Sequence, residues 1–450
     1  MNKRSFKAFA LLVALAGFME LFDGTVVQTA LPAMSRDLGV SAAGASVTMA
    51  AYFAAAAGAV PICAWLTERL GVRAAFGGGI AVFALASLLC GSSPNLGLLV
   101  AFRILQGVGG AVMMSVGQIA ILRDAPKDKL LNITAYLVWP ALAAPVIAPV
   151  LGGLITENFG WRWLFWLNIP IGVAGFIAAL RLAPSKTESG PAPKLDVVGA
   201  VLLSFGLAAL VPSLGLVEVG ASAPRLVAIA FGVVSLASAT FWLLRNPKPL
   251  LNLRVFRFRT FRASNAAGVI YRAVIAAIPI LLTLKFQLVY GWSPVNAGLL
   301  VMVLFVGNLS IKPFANYSVR RWGYRRAVVS ATLAGAAALL GLALVGRETT
   351  LLAVVPLLYI SGAARSVGFT SYMTMQYLEV PKDEMPGASP LSNSVQQVAT
   401  ALGIAAVVGS LTALELGGIA TPTAYLTVFL GMAAALSVSA VWVGTLLNKG

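Results

Sequence analysis

Charged residues, prolines and glycine clusters break the chain into fourteen apolar segments, at 8–32, 43–65, 74–93, 96–121, 131–155, 162–183, 197–216, 226–244, 264–288, 295–317, 327–346, 350–374, 389–414 and 422–446. Each is close to the length of about 20 residues that carries an α-helix across a bilayer. The runs are continuous rather than alternating, which predicts helices and excludes the ten-residue dyad pattern of a transmembrane barrel. The first run follows Lys3, Arg4 and Lys7 as a signal peptide would, but it continues through Pro32. That is too long for a signal core, so it reads as a retained first helix.

Composition turns this pattern into a class. The chain has 450 residues, of which 59% are hydrophobic and 10% charged. A soluble protein carries about 25% charged residues, so an ordinary wet surface cannot be assembled here. An all-α polytopic membrane protein is expected, with no room for a large extra domain. The net charge of +17 does not form a contiguous basic face for nucleic acid. Instead 23 basic residues fall in alternate breaks on the side of the N-terminus, 4 fall in the others and five lie within the apolar runs. That bias predicts cytoplasmic termini and an even helix number. A miscount of two leaves the parity intact, so twelve helices stay open beside fourteen.

An internal echo suggests the organisation. Arg69-Leu-Gly71-Val-Arg73 follows the second segment and Arg321-Trp-Gly323-Tyr-Arg325 follows the tenth. Parallel repeats about an axis along the membrane normal are a transporter design. The expected division is a six-helix bundle at 1–183, two inserted helices with flanking loops at 184–263, and a second six-helix bundle at 264–450.

The candidate chemistry is sparse. Cys63 and Cys90 lie near opposite membrane faces, too far apart for a disulfide, and neither metal-ligand spacing nor any histidine is present. No cofactor or metal and no enzymatic triad is expected, and any proton carrier must be a carboxylate. Ionisable groups in hydrocarbon mark function; here they are Glu20, Asp23, Arg103, Arg272, Lys285, Lys312 and Arg365. Glu20 and Asp23 share a helix face. Three roles stay open for them: proton coupling, a structural pair between Asp23 and Arg103, or direct substrate contact. Arg103, Gln106, Gly107 and Gly110 lie along one side of their helix, the glycines allowing close helix approach. The fifth segment holds Pro140, Pro145, Pro149, Gly152 and Gly153, read either as a gating kink or as static irregularity.

The residues Leu21-Phe-Asp23-Gly-Thr25-Val-Val-Gln28-Thr-Ala-Leu-Pro32, Arg103-Ile-Leu-Gln106-Gly107, Pro145 through Gly153 and Trp161 through Pro170 resemble the fourteen-helix drug:proton antiporters of the major facilitator superfamily. The likeness spans essentially the whole chain. It implies the major facilitator fold, alternating access, proton-driven export, and a conformational latch in the loop after the second helix. By that likeness Asp23 and Arg103, with Glu20 assisting, carry proton coupling. Gating falls to Glu68, Arg69, Gly71, Arg73, Pro145, Pro149 and Gly152. This chain departs from the family pattern at Ala64 and Glu68 in the latch, at Ala141, Ala144 and Ala148 in the fifth helix, and at Gln28.

Five basic and two acidic residues lie within the runs, a balance that favours anionic or neutral molecules. Candidate cavity residues are Gln28, Gln106, Arg272, Lys285, Arg365, Asn393 and Gln397, with snorkelling to the interface an alternative for Lys285. The expected function is proton-coupled export of small organic molecules or drugs by a monomer in a bacterial inner membrane. Its partners are substrate, protons and lipid. Export or import of a specific small anionic metabolite, and a non-transporting sensor on the same scaffold, are the alternatives. No selectivity ring of a channel appears.

Overall fold

The computed structural model describes residues 3–124, 130–185, 195–215, 222–381 and 384–448. The basic residues Lys127, Lys129, Lys186, Lys194, Lys382 and Lys449, used in the charge count, lie outside them. Among the described residues all regular structure is helical. We number the long helices α1 (Lys3–Leu38), α2 (Ala42–Ala59), α3 (Val72–Gly91), α4 (Leu96–Asp124), α5 (Leu130–Asn158), α6 (Asn168–Leu182), α7 (Val197–Gly215), α8 (Ala223–Arg245), α9 (Gly268–Leu284), α10 (Pro294–Ser310), α11 (Lys312–Leu344), α12 (Leu351–Met375), α13 (Met385–Leu416) and α14 (Thr421–Leu446). Each apolar segment of the sequence has most of its length in one of them, although 43–65 runs past α2 into the short helix Cys63–Leu70 and 295–317 runs past α10 into the start of α11. Among the described residues twelve spans are long and apolar enough to cross a membrane, and α10 and the Leu142–Asn158 part of α5 form two shorter apolar helices.

Apolar surface shows that the solvent is lipid. The α8 span has a hydropathy of 2.1, yet only 22% of it is buried inside the protein. Phe231, Val227 and Val234 project outward from it. The α2 and α9 spans, by contrast, are 78% buried and form the centre. This is a multi-pass membrane protein whose rim is wetted by hydrocarbon.

Packing follows a regular scheme. Helix α1 packs on α5, α2 on α4, and α3 on α4 and α6. Eight helices later the same pattern recurs: α9 on α13, α10 on α12, and α11 on α12 and α14. The seams between the two sets correspond as well, α5 on α10 and α2 on α13, while α7 covers the second seam by touching both α2 and α13. Local geometry repeats too. Ser41 caps α2 through the Gly44 N–H, and Ser293 caps α10 through the Asn296 N–H. Gly71 has φ 80° and ψ 161°, and Gly323 has φ 78° and ψ 158°, a region essentially restricted to glycine. Beyond these turns, Arg73 donates to the Ala183 carbonyl after α6, and Arg325 donates to the Gly444 carbonyl in the last turn of α14.

The α7–α8 hairpin is tied down by Asp196. Its carboxylate accepts from the Gly199 N–H in the N-cap manner, from the Trp242 indole of α8 and from the Leu250 N–H beyond it. Partial burial pushes the Asp196 carboxyl up, but these hydrogen bonds outweigh it and hold the group below the usual carboxylate range. Its stabilising contribution is therefore complete above that range and is lost as pH falls through the lowered folded value. Asp196→Ala is expected to cost about 0.5–2 kcal/mol at neutral pH, with the gap from the parent protein closing below about pH 4. Thermal unfolding of both proteins across pH checks this.

Candidate functional site

Where the two sets of helices meet, they enclose a chamber of about 320 Å³. Helix α1 supplies Glu20, Thr25 and Gln28, α2 supplies Tyr52 and Phe53, and α4 supplies Ser115 and Gln118. Phe305 of α10, Arg365 of α12 and Asn393, Gln396, Gln397 and Thr400 of α13 complete the polar and aromatic lining, with Pro145 of α5 beside them. Polar side chains facing inward along otherwise apolar helices need a wet space, and the chamber provides one.

Asp23 and Arg103 are not in that lining. They form an ion pair behind it, 2.6 Å apart and both fully buried. Asp23 also accepts from the Gln106 amide at 3.0 Å and the Asn168 amide at 2.9 Å. Gln106 in turn accepts from Arg103 at 2.6 Å and donates to the Ser87 hydroxyl at 2.7 Å. A buried carboxylate with three donors, one of them a cation, is well matched. Tyr52 separates this cluster from the chamber: its ring lies 4.4 Å from the Arg103 guanidinium carbon while the residue also lines the chamber. Gly107 makes the approach possible, because a Cβ there would sit 2.3 Å from the Tyr52 carbonyl oxygen. Glu20, one helical turn before Asp23, faces the chamber and has no hydrogen bond or ion pair among the described residues.

Of the cavity residues expected from the sequence, Gln28, Arg365, Asn393 and Gln397 line the chamber; Gln106, Arg272 and Lys285 do not. Gln106 is drawn into the Asp23 cluster. Arg272 is buried and reaches back along α9, donating to the Ser264 carbonyl and hydroxyl at 2.7 and 3.1 Å, because helical side chains lean toward the N-terminus. Ser264 belongs to a π-helical turn, Ala263–Ala267. Lys285 neither snorkels nor enters the chamber: it donates to the Leu342 carbonyl at 3.0 Å, near the C-terminal end of α11, where a cation is favoured. Lys312 donates to Thr370 at 3.1 Å. The excess of basic residues in the sequence therefore does not reach the chamber.

The gating residues divide as well. The chamber is closed at the end away from the termini. A Cβ on Gly298 of α10 would lie 2.2 Å from the Pro149 carbonyl oxygen of α5, and one on Gly153 would lie 2.6 Å from the Pro294 carbonyl oxygen. Gly152 faces Thr29 and Val26 of α1 with equal intimacy. Gln287 closes the same end by donating to the Thr29 carbonyl at 2.9 Å. Pro145 lies lower and lines the chamber. Glu68 and Arg69 lie not in a loop but in the last turn of the short helix Cys63–Leu70 that follows α2; they are exposed and form no ion pair among the described residues, so the expected latch bond of Glu68 is not made in this conformation. Tyr52, Asn168 and Gln287 were not singled out from the sequence. A tyrosine hydroxyl in the alanine-rich run of α2 was the one available signal.

Helices passing through an apolar medium around a polar chamber, flanked by a sealed ion pair, define a polytopic membrane transport protein. The family model described as Major Facilitator Superfamily matches residues 13–404. MdtD of Cronobacter sakazakii, named for multidrug resistance, is 35% identical over 398 residues, covering 87% of this chain and 83% of that protein. HsrA of Haemophilus influenzae, named as a transport protein, is 32% identical over 408 residues, covering 90% and 87%. Among solved structures, an auto-inhibited POT family peptide transporter superposes with TM-score 0.69 at 15% identity, covering 99% of this chain and 97% of that one. The human organic anion transporter MFSD10 does so with TM-score 0.66 at 15% identity, covering 97% and 99%. The chain belongs to the Major Facilitator Superfamily.

Proposed function

We propose that this protein is a proton-coupled exporter of drug-like small organic molecules, acting by alternating access as a monomer in a bacterial inner membrane with both termini cytoplasmic. The observation that carries the reading is the ion pair of Asp23 and Arg103 sealed one side chain away from a chamber closed at the α5–α10 end. Relatives named for multidrug resistance supply the substrate range. All fourteen helices cross the bilayer in this reading. The moving parts are two six-helix bundles, 1–183 and 264–450, with 184–263 as an inserted hairpin; the eight-helix offset in packing and the matched Gly71 and Gly323 turns support that division.

In this mechanism the proton enters from the chamber at Glu20, which stands free in the wall, and is passed to Asp23 past Tyr52. Protonated Asp23 holds Arg103 less tightly, and the helices α1, α4 and α6 joined by this cluster shift against one another. The closed seam of α5 and α10 then opens, while Glu68 and Arg69 engage at the opposite end to close it. Anion-selective transport is not favoured, because Arg365 is the one basic side chain in the described lining.

Glu20→Gln provides the test. It breaks no bond among the described residues, so its stability should stay within about 0.5 kcal/mol of the parent, while transport driven by a pH gradient falls to a small fraction. Full transport by this variant in proteoliposomes would remove Glu20 from the proton path.

A further inference from the structure

The charges that face the chamber are balanced. Among its described lining residues Glu20 is the one acid and Arg365 the one base. The other interior cations are outside the lining and engaged elsewhere: Arg103 with Asp23, Lys312 with Thr370, and Arg272 and Lys285 with backbone carbonyls. Glu20 has no partner among the described residues. Among the described residues Arg365 makes one hydrogen bond from its guanidinium, from Nη1 to the Ile275 carbonyl at 3.1 Å, and its guanidinium carbon stands 5.4 Å from the centre of the Phe305 ring. Two opposite charges on different helices thus present unsatisfied valences to one space.

From this we propose that the chamber selects zwitterionic molecules, holding a cationic group at Glu20 and an anionic group at Arg365. The assignment rests on the chamber being the transport site. A pure cation gains at Glu20 but meets the field of Arg365, and a pure anion meets the reverse. A molecule with both charges gains at both ends, since each charge-assisted hydrogen bond is stronger than a neutral one. The faces of Phe53 and Phe305 receive the apolar body between the charged groups, and amides such as Gln28 and Asn393 complete the polar contacts. A volume of about 320 Å³ is at the small end of ligand sites, which suits a single-ring or two-ring amphiphile.

The test is equilibrium binding of three matched probes to the purified full chain: para-(aminobutyl)benzoate, phenylbutylamine and butylbenzoate. The zwitterion is expected to bind about tenfold tighter than either single-charge probe. Glu20→Gln should erase its advantage over butylbenzoate, and Arg365→Gln its advantage over phenylbutylamine, while Arg365→Lys, which keeps the charge, retains most of the latter. Equal affinity for zwitterion and amine in the parent protein, or an advantage that survives both neutral substitutions, overturns the pairing. Should Arg365→Gln fail to fold, the lysine variant and the Glu20 arm still decide. The same probes in proteoliposomes keep the two readings apart. Preference without movement leaves the charge pairing intact and removes its transport role; pH-driven movement without preference overturns the pairing alone.

Discussion

Asp23→Asn is expected to abolish pH-driven transport while leaving a folded protein that still binds ligand in the chamber. The variant keeps the shape of the side chain but leaves the Arg103 guanidinium buried without its counter-charge. Breaking one member of a buried pair costs about 3–5 kcal/mol, moderated here because the single asparagine oxygen can still accept, either from Arg103 or from Gln106 and Asn168, which address different oxygens of the native carboxylate. Removing both charges separates architecture from coupling. In Asp23→Asn with Arg103→Gln no lone charge remains, so thermal stability should recover most of the single-variant loss. Transport should not recover, because no carboxylate remains at position 23 to take the proton from Glu20 and release Arg103. Recovery of both would make the pair a structural device; recovery of neither would point to a packing defect. The measurements are melting temperatures in detergent and pH-driven uptake in proteoliposomes, made on the same preparations.

The second large effect is expected at the α5–α10 seam. Gly298→Val places a side chain where a Cβ alone would already lie 2.2 Å from the Pro149 carbonyl oxygen. Neither partner can yield, since the Cβ is fixed directly to the α10 backbone and the oxygen belongs to the α5 backbone. The seam must part, and overpacking of this kind costs about 1–3 kcal/mol. Charged only to the closed arrangement, that shifts the balance between conformations by roughly five- to 150-fold. Thr29 is buried at this end. In a background with Cys63 and Cys90 replaced by alanine, a Thr29→Cys probe should label slowly in the parent and rapidly with Gly298→Val, and transport should fall because closure is one half of the cycle. Gly78→Val is the control: its Cβ position has open space around it, and neither labelling nor transport should change. Unchanged labelling in Gly298→Val would mean that this seam does not gate the chamber.

These expectations show which parts of the protein are readable from sequence. Helix positions were legible throughout, because in lipid every span must be a continuous apolar run and every break is polar. The Asp23–Arg103 pair was legible for a related reason: an isolated charge in hydrocarbon is costly, so two opposite charges on neighbouring spans find each other. The repeat was visible in two R-x-G-x-R turns because the backbone there demands glycine at Gly71 and Gly323.

What the sequence could not reveal was orientation. Arg272, Ala276 and Pro279 lie on nearly the same face of α9, yet only the latter two reach the chamber. The Arg272 side chain runs two turns back to Ser264, a partner created by a π-helical turn that no periodicity announces. Lys285 lies half a turn around the helix from Ala276 and meets the end of α11. Counting charges in the apolar runs therefore overstated the basic character of the chamber, and the anionic-substrate reading that followed from it gives way to a balanced site. Tyr52 escaped notice because its role depends on α2 and α4 touching at Gly107, a contact that is purely tertiary.

The central claim is that protons and ligand share one chamber and move in opposite directions through it. It is tested most directly with purified protein in vesicles that hold a trapped pH-sensitive dye and start without any gradient. Ligands that raise the melting temperature are added outside. Ligand entry should drive protons outward, making the interior more alkaline, in the parent protein and not in Asp23→Asn. Ligand entry at equal rates in both proteins, with the internal pH unmoved, would contradict the account.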